Sequence, residues 1–421
     1  MSIENSRLSG FHKKEPEERL EIVAELSGLS EREMRVLSEQ GLSSEDSDRM
    51  IENVIGTFEL PVGVATNFKI NGEDYLIPMV IEESSVVAAA SYAAKLAREK
   101  GGFTTSTTEP VMISQIQVTD ISDPYSARLK VLERKEEIME MANEQDPVLI
   151  EHGGGCRDVK CRVLDSRYGP YLIVHLLVDC RDAMGANAVN TMAEAVAPFI
   201  EELTGGRVYL RILSNLAKYR LARARVVYGK DEIGEEVVEG VLQAYEFARV
   251  DPFRCSTHNK GVMNGVTGVV AATGNDTRAV EAGAHSYAAV GGYSPLTNWE
   301  KNQDGDLVGS IEIPVPVGLI GGATSSHDVA GVNLKILGVE SSQELGEVLA
   351  CVGLAQNFGA LRALATEGIQ KGHMKLHAEN VAIAAGADRE IVDKVASRMV
   401  EEGKVRADRA REIIEEIKKK E

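Results

Sequence analysis

The spacing of apolar and polar residues predicts which stretches of the chain are helices and which are strands. Between Glu15 and Leu26 the apolar residues fall on one side of a helix. Ser30 begins a second helix, and Glu33 completes a capping box with it. The pattern over 75–81 predicts a strand, and the alanine-rich helix that follows ends at Gly101–Gly102. The N-terminal part of the chain is therefore mixed α/β.

The middle of the chain has a more regular pattern. VMISQIQV alternates as a strand, Tyr125 to Asn143 is predicted to be one amphipathic helix, and two strands joined by a turn at Tyr168–Gly169–Pro170 follow. A helix from about Ala186 to Leu203 and the strand VYLRIL complete the stretch. The order β-α-β-β-α-β is typical of a ferredoxin-like unit. Because this unit is complete in itself, we predict an inserted domain over 110–216.

Mixed α/β structure with more glycine returns after Leu221. The stretch STHNKGVMNG, which contains Lys260, is predicted to be a loop bounded by glycines. TGVVAATGND is predicted to be an apolar strand with Asp276 in the loop at its end. The last stretch is charged and helical, and Gly372 is expected to act as a hinge before it.

These patterns predict a three-part architecture of the α/β (α+β) class. A large mixed α/β domain, formed by 1–109 and 217–371, contains the inserted ferredoxin-like domain, and a charged helical segment, 372–421, follows it. A chain of 421 residues is too long for one ordinary core, which agrees with more than one domain.

The composition narrows the class of protein. Hydrophobic residues make up 43% and charged residues 26%, as in a folded globular protein. No apolar run reaches the length of a membrane span, and the first residues lack the apolar stretch of a signal peptide. We therefore expect a cytoplasmic protein without a membrane partner. The net charge of −19 argues against a nucleic-acid partner, and the five scattered cysteines do not form a disulfide framework.

Two glycine-bearing stretches are candidates for binding phosphate groups. DAMGAN, Asp182 to Asn187, lies between a strand and the start of a helix, where small residues let free N–H groups approach an anion such as a dinucleotide pyrophosphate. It is not a G-x-G-x-x-G fingerprint, and on local pattern alone a turn with a polar cap is slightly favoured. GGGCRD, at 153–158, is a phosphate loop or, more commonly, a flexible connector.

Several charged residues are candidates for chemistry, and each has a structural alternative. Lys260 lies among amide side chains, although a loop lysine is usually only solvated. Asp276 points into a cleft or caps a helix, and Glu83 precedes a helix where acidic residues serve as caps. His373 and His377 share a helix face, but no carboxylate or cysteine is patterned with them, so a catalytic or surface histidine is favoured over a zinc ligand.

Together these stretches resemble class II 3-hydroxy-3-methylglutaryl-coenzyme A (HMG-CoA) reductases along almost the whole chain. The matching stretches include ENVIGTFELP at 52–61, RDAMGANAVNTMAEAVAP at 181–198, THNKGVMNG at 257–265, ATGND at 272–276 and GLAQNFGALRALATEGIQKGHM at 353–374. The resemblance implies a large domain for the coenzyme A substrate, a small domain for the nicotinamide cofactor, and a flap that closes over the site. It also implies a homodimer, or a higher oligomer of dimers, with each active site at the interface.

The activity implied is the reduction of HMG-CoA to mevalonate and coenzyme A with two reduced nicotinamides. Synthesis of mevalonate for isoprenoids is favoured over its degradation. By the same resemblance, the catalytic residues are Glu83, Lys260, Asp276 and His373, with His377 as the rival for the last role. No metal is required.

Binding residues are implied in the same way. Substrate carboxylate contacts fall on Ser85, Arg254 and Asn264. Cofactor contacts fall on Asp182, Met184, Gly185 and Asn187.

Asp146 is expected near the adenosine ribose, where a carboxylate accepts a hydrogen bond from the 2′-hydroxyl of NADH and repels the 2′-phosphate of NADPH. NADH is therefore the predicted cofactor, with NADPH as the alternative. A surface aspartate before a proline turn is the competing interpretation of Asp146.

Two other functions remain open from the sequence. One is a non-redox acyl-coenzyme A enzyme, such as a lyase, which would use the acid pair without a nicotinamide domain. The other is a non-catalytic coenzyme A sensor. DAMGAN argues against the first, and the set of Glu83, Lys260, Asp276 and His373 argues against the second.

Overall fold

The structure, a computed structural model, describes residue 3 and residues 5–39, 42–366, 369–388 and 391–418. It contains two sheets. The larger sheet has the order β2-β1-β3-β8-β10-β9 and the smaller the order β5-β6-β4-β7. The strands are β1 (Val62–Ile70), β2 (Glu73–Val80), β3 (Phe103–Thr107), β4 (Val111–Thr119), β5 (Gly155–Ser166), β6 (Gly169–Asp179), β7 (Arg207–Ser214), β8 (Leu221–Tyr228), β9 (Thr297–Lys301) and β10 (Leu307–Pro314). The predicted mixed α/β fold is confirmed.

Helices account for most of the rest of the described chain. They are α1 (Pro16–Ser27), α2 (Glu31–Ser38), α3 (Ser44–Met50), α4 (Val86–Ala97), α5 (Pro124–Glu133), α6 (Lys135–Asn143), α7 (Pro147–Glu151), α8 (Ala186–Thr204), α9 (Lys230–Ile233), α10 (Glu235–Val250), α11 (Pro252–Ala272), α12 (Thr277–Ala288), α13 (Gly322–Ser326), α14 (Asp328–Leu337), α15 (Ser342–Ala365), α16 (Ile369–Ala384), α17 (Val392–Glu401) and α18 (Ala407–Lys418). Short 3-10 turns lie at Phe11–Lys13 and Arg98–Lys100.

The smaller sheet is antiparallel throughout and has helices on one face. Every second residue of β6, from Leu172 to Val178, and the residues Met112, Ile116 and Val118 of β4 form a separate core with α5, α6 and α8. The single helix predicted over 125–143 is two helices, which meet at Arg134. The separation of 110–216 from the rest of the chain as a domain stays a prediction.

Helix α11 replaces a predicted loop and a predicted strand, so both of those predictions were wrong. Asp251 caps the helix, with its side chain accepting from the N–H of Arg254, and Pro252 occupies the first turn. Two glycines of this helix, one from the predicted loop and one from the predicted strand, are packing positions. A Cβ on Gly265 would lie 2.9 Å from the Gln356 Cβ of α15, and one on Gly268 would lie 3.2 Å from the Met79 Cε of β2. Glycine here permits close packing of a buried helix.

The C-terminal helices α16, α17 and α18 have a small core of their own, which includes Ala382, Val395 and Ile413. Gly372 lies inside α16, so the helix continues through the residue predicted to be a hinge. A flap over 372–421 stays a prediction. Among the described residues, α15 is the one helix long and apolar enough to cross a membrane, and 67% of that stretch is buried in the molecule, as in the core helix of a soluble protein.

Candidate functional site

The structure brings Glu83, Lys260 and Asn264 together. Glu83 lies between the end of β2 and the start of α4, while Lys260 and Asn264 lie one turn apart on the same face of α11. Lys260 Nζ is 2.7 Å from Glu83 Oε2, and Asn264 Nδ2 donates to the same oxygen at 3.2 Å. The Lys260 side chain is 61% exposed, so this cluster is open to a ligand.

Ser85 has a strained backbone at this site. Its φ of 74° lies in the left-handed region, which a residue with a side chain rarely adopts. It occupies the cap position of α4, but its side chain makes no capping hydrogen bond there. The capping interpretation of the acidic and serine residues before α4 is therefore not supported. Strain of this kind, of order 1–3 kcal/mol, is characteristic of binding and catalytic sites.

Arg254 lies in the first turn of α11, six residues before Lys260. Burial lowers the pKa of its guanidinium, although the neighbouring Cys255 opposes the change. Its side chain forms no ion pair with any acidic residue in the described part of the chain. A half-buried arginine without a counter-ion has the chemistry required to bind a carboxylate.

Asp276 is the cap of α12, and not the end of a strand as predicted. Its carboxylate accepts from the N–H of Arg278 at 2.9 Å and of Ala279 at 3.1 Å, and it pairs with the Arg278 guanidinium. Burial alone would raise its pKa, but the Ala279 N–H and Arg278 outweigh this, so the pKa lies below its usual value. Within the described residues Asp276 makes no bond to Lys260 or Glu83. Along α11, Lys260 is about 18 Å from Ala272, where the helix ends.

The predicted phosphate-binding residues surround the loop between β6 and α8, which we call the 180–185 loop. Gly185 has a φ of 96°, and a Cβ there would lie 2.2 Å from Cys180 Sγ, so only glycine fits. The Asp182 carboxylate accepts from the N–H of Ser342 at 2.8 Å and so ties the loop to α15. Met184 lies in the loop itself, and Asn187 lies in the first turn of α8.

A second loop, residues 315–320, packs against the first, and sequence reasoning did not identify it as part of the site. The Leu319 N–H donates to the Asp182 carbonyl at 2.8 Å, and a Cβ on Gly318 would lie 2.5 Å from Met184 N. Asn275 donates to Gly318 O at 3.1 Å and accepts from Gly318 N at 2.8 Å. The glycines of the stretch PVGLIGGAT, residues 316–324, were the available signal, because they permit this close approach of two backbones.

Asp146 and the GGGCRD stretch lie beside the same loop. Asp146 caps α7 by accepting from the Leu149 N–H at 2.9 Å. This agrees with the competing interpretation, in which Asp146 is a structural residue before a proline. Burial above all raises the pKa of the Cys180 thiol to about 12, and the charge of Asp146 adds to this effect. The Gly153 carbonyl accepts from both Arg157 and Arg181. Leu149, which Asp146 caps, packs against Gly154, and Gly154 lies beside the Asp179 carbonyl just before the 180–185 loop.

The predicted catalytic histidine belongs to α16. The side chain of His373 lies outside the described residues, and His377, one turn later, is exposed. In the described part of the chain, no three His, Cys, Asp or Glu side chains are grouped to hold a metal ion.

The 180–185 loop fits the pyrophosphate of a dinucleotide. The N–H groups of Asp182 and Gly185 donate no hydrogen bond within the described chain, and the first N–H groups of α8 follow them. Free N–H groups at the start of a helix are typical of phosphate sites.

Comparisons with known proteins agree with this geometry. The family model "Hydroxymethylglutaryl-coenzyme A reductase" matches residues 15–378. An HMG-CoA reductase of Archaeoglobus fulgidus is 62% identical over 415 residues, which cover 98% of this chain and 95% of that protein. A probable HMG-CoA reductase of Borreliella burgdorferi is 40% identical over 342 residues, 79% of this chain and 77% of that one.

Solved structures give the same result. An HMG-CoA reductase of Streptococcus pneumoniae superposes with a TM-score of 0.83 at 38% identity, covering 97% of this chain and 99% of the other. The class II enzyme of that organism bound to NADPH, in open conformations, superposes with a TM-score of 0.82 at 37% identity, covering 96% of this chain and all of the other. The chain therefore belongs to the HMG-CoA reductase family. Members are NAD(P)H-dependent oxidoreductases, and the prediction of such an enzyme is confirmed.

Proposed function

We propose that the chain catalyses the four-electron reduction of HMG-CoA to mevalonate and coenzyme A with two NAD(P)H. The observation that carries this proposal is the contact of Lys260 and Asn264 with one oxygen of Glu83. A cation, an amide and a carboxylate at one open site can together stabilise an oxyanion and transfer a proton.

Each residue has a distinct task in this reaction. The nicotinamide supplies a hydride in each of the two reduction steps. Lys260 stabilises the negative oxygen of the hemithioacetal formed from the thioester. Glu83 gives a proton to the oxygen of the aldehyde in the second step, and Asn264 holds the Glu83 carboxylate toward the site.

The other predicted residues bind the substrate, protonate the leaving group or bind the cofactor. Arg254 and Ser85 hold the substrate carboxylate, and His373 protonates the coenzyme A thiolate when the hemithioacetal collapses. Asp182, Met184, Gly185 and Asn187 form the cofactor site, where Asp182 fixes the loop through Ser342.

We also propose that the active form is a homodimer and that Asp276 acts across the interface. Lys260 and Asp276 are too far apart along α11 to meet within one protomer. In a dimer with a two-fold axis, Lys260 of each protomer can lie beside Asp276 of the other, which gives two equivalent sites. An exposed apolar segment also supports a dimer. In residues 51–62, Ile55 and Phe58 are 103% and 89% exposed, which is characteristic of a surface that a second chain covers.

The cofactor preference, direction and location belong to the same proposal. Asp146 favours NADH over NADPH, because a second negative charge near it is repelled. The reaction runs toward mevalonate in the cytoplasm.

A spectrophotometric assay tests the function. With HMG-CoA and NADH, the protein should oxidise two NADH for each coenzyme A released, and the reverse reaction should require mevalonate, coenzyme A and NAD. Cleavage of HMG-CoA to a smaller acyl-coenzyme A without NADH oxidation would indicate a lyase, and binding without turnover would indicate a sensor.

A further inference from the structure

Arg220 is a buried arginine that the reaction does not use. It immediately precedes β8, where the chain passes from the smaller to the larger sheet, and it is 4% exposed. Its guanidinium donates to the carbonyls of Ala183 at 3.0 Å and Met184 at 3.1 Å. It also donates to the carbonyl of Arg181 at 3.4 Å and to that of Val317. All four acceptors are main-chain oxygens, three in the 180–185 loop of the predicted cofactor site and one in the 315–320 loop that packs against it.

A buried cation bound only to carbonyls is unusual, because burial of a charge normally requires an acidic partner. Burial lowers the pKa of Arg220 to about 10, while the charges of Cys180, Asp179 and Asp182 oppose the change. The guanidinium thus remains positively charged at neutral pH, directly behind the 180–185 loop.

The hydrogen bonds of Arg220 determine which way the loop faces. No peptide bond in the described chain is cis, so the C=O of one residue and the N–H of the next point in opposite directions. The carbonyls of Arg181 and Met184 point inward to Arg220, so the N–H groups of Asp182 and Gly185 point away from it. Neither of these two N–H groups donates a hydrogen bond within the described chain.

The loop therefore has two unlike sides. On the inner side, Arg220 and Ser342 bind its oxygens, with Ser342 Oγ donating to the Arg181 carbonyl at 2.8 Å. The outer side presents N–H donors that continue into the first turn of α8. Successive outward N–H groups form a concave site for an anion, and the positive charge behind them strengthens it in a chain whose net charge is −19.

We propose that Arg220 is a positioning residue that holds the 180–185 loop in its anion-binding form for the pyrophosphate of the nicotinamide cofactor. The inference rests on the proposed function, because it takes this loop to be the cofactor site. Arg220 acts through the backbone and touches neither substrate nor cofactor. Without it, the carbonyls of Ala183 and Met184 lose their donor and that of Arg181 keeps only Ser342 Oγ, so the loop can turn its oxygens toward the anion.

Substitution of Arg220 tests the proposal. Arg220→Met keeps much of the side-chain volume and removes the charge and the donors, while Arg220→Lys keeps the charge with fewer donors. Arg225, an exposed residue on β8, supplies the matched control Arg225→Met. The dissociation constant of NADH is measured by its fluorescence on the full-length protein without substrate, and that of HMG-CoA by calorimetry.

Arg220→Met should weaken NADH binding by roughly tenfold to a hundredfold, the range expected when hydrogen bonds from a charged group are lost. HMG-CoA binding should stay within about twofold of the wild type, the scatter of such measurements. Arg220→Lys should recover part of the NADH affinity, and Arg225→Met should change neither constant. If Arg220→Met does not fold, Arg220→Lys decides: NADH binding weakened more than HMG-CoA binding supports the proposal.

Two results would overturn the inference. One is a folded Arg220 variant that binds NADH as the wild type does. The other is an equal loss of affinity for NADH and HMG-CoA, which is what a purely structural residue would give. The proposed function fails separately, if the wild-type protein binds NADH but does not reduce HMG-CoA.

Discussion

Asn275 and Gly318 exchange two hydrogen bonds, the side-chain amide of Asn275 donating to the Gly318 carbonyl and accepting from its N–H. One amide side chain thereby joins the segment that carries Asp276 to the loop that packs on Met184. The pair links the predicted catalytic aspartate to the predicted cofactor site.

Replacing Asn275 with alanine should destabilise the protein by about 2 kcal/mol, because two partly buried backbone groups lose their partners. Urea unfolding measures this change. NADH binding should also weaken, because the 315–320 loop supports the 180–185 loop. Asn302→Ala is the control, since Asn302 also binds a backbone N–H, that of Asp306 at 2.8 Å, but in a turn between β9 and β10. Equal NADH affinity in Asn275→Ala and Asn302→Ala would contradict this account.

A variant that lacks Lys260 and a variant that lacks Asp276 should restore activity to each other in a mixed dimer. Lys260→Ala alone should lower the rate by about 10²–10³, the usual effect of losing one oxyanion donor, and leave folding unchanged because the side chain is largely exposed. Asp276→Ala alone should also be nearly inactive. Co-refolding the two inactive variants should restore about a quarter of the wild-type activity, since half of the randomly paired dimers contain one intact site out of two.

The control for complementation is each variant co-refolded with itself, which should stay inactive. If the mixture also stays inactive while sedimentation shows that mixed dimers form, then both residues act within one protomer. That result would contradict the proposed interface.

The sequence predicted the small sheet better than the large one for a physical reason. In β4, Ile116 and Val118 face the helices and are fully buried, while Gln115 and Gln117 on the other face are partly buried, so the sequence alternates and the strand is readable. Helix α11 is buried over most of its length, so its apolar residues show no clear period. Gly261 and Gly265 then suggested a loop, although Gly265, like Gly268 after it, is a close packing contact that depends on distant parts of the chain.

Some residues of the candidate site could be predicted from the sequence and others could not. Resemblance to a family identified Glu83, Lys260 and Asn264, and the structure brings these three together. Arg220 and Asn275 had no such signal, because an arginine before a strand and an asparagine in a turn are ordinary in a sequence. Their roles depend on the main-chain carbonyls to which they donate hydrogen bonds, and these partners are brought near them only when the chain folds.

His258 should make stability depend on pH. Burial above all, then the charge of Arg254, lowers its pKa from 6.5 to about 3, and its Nε2 lies 2.7 Å from Thr297 Oγ1. Between these two values the unfolded chain binds more protons than the folded one, so stability is full above pH 6.5 and is lost as the pH falls toward about 3. The slope from one such group is about 1.4 kcal/mol per pH unit.

The measurement is the free energy of unfolding in urea from pH 8 to pH 4, for the wild type and His258→Gln. The variant should be less stable at pH 8, because the hydrogen bond to Thr297 is altered, but its stability should fall less steeply below pH 6.5. His12→Gln, at an exposed histidine, should keep the wild-type slope. Parallel curves for the wild type and His258→Gln would show that His258 does not cause the pH dependence.

His373 and His377 are one turn apart on α16, so they share a face, and their roles can be separated by experiment. His373→Gln should impair reduction of the thioester far more than reduction of free mevaldehyde, because only the thioester releases a thiolate that needs a proton. His377→Gln should be milder. The reverse order would assign the role to His377, and normal thioester reduction by both variants would exclude thiolate protonation by this helix.

Asp146 should set the preference for NADH, and its capping role can be separated from its charge. Asn is as good a cap as Asp, so Asp146→Asn should keep the hydrogen bond from the Leu149 N–H and leave stability unchanged. Removing the charge should raise kcat/KM for NADPH relative to NADH by roughly tenfold, the effect of losing one partly screened repulsion of about 1.4 kcal/mol. Asp123→Asn is a closely matched control, because Asp123 also precedes a proline and caps a helix, α5, through the Ser126 N–H at 2.9 Å. Two results would show that Asp146 is only a helix cap. One is a wild-type protein that prefers NADPH. The other is a ratio of kcat/KM for NADPH to that for NADH that is the same in Asp146→Asn and Asp123→Asn.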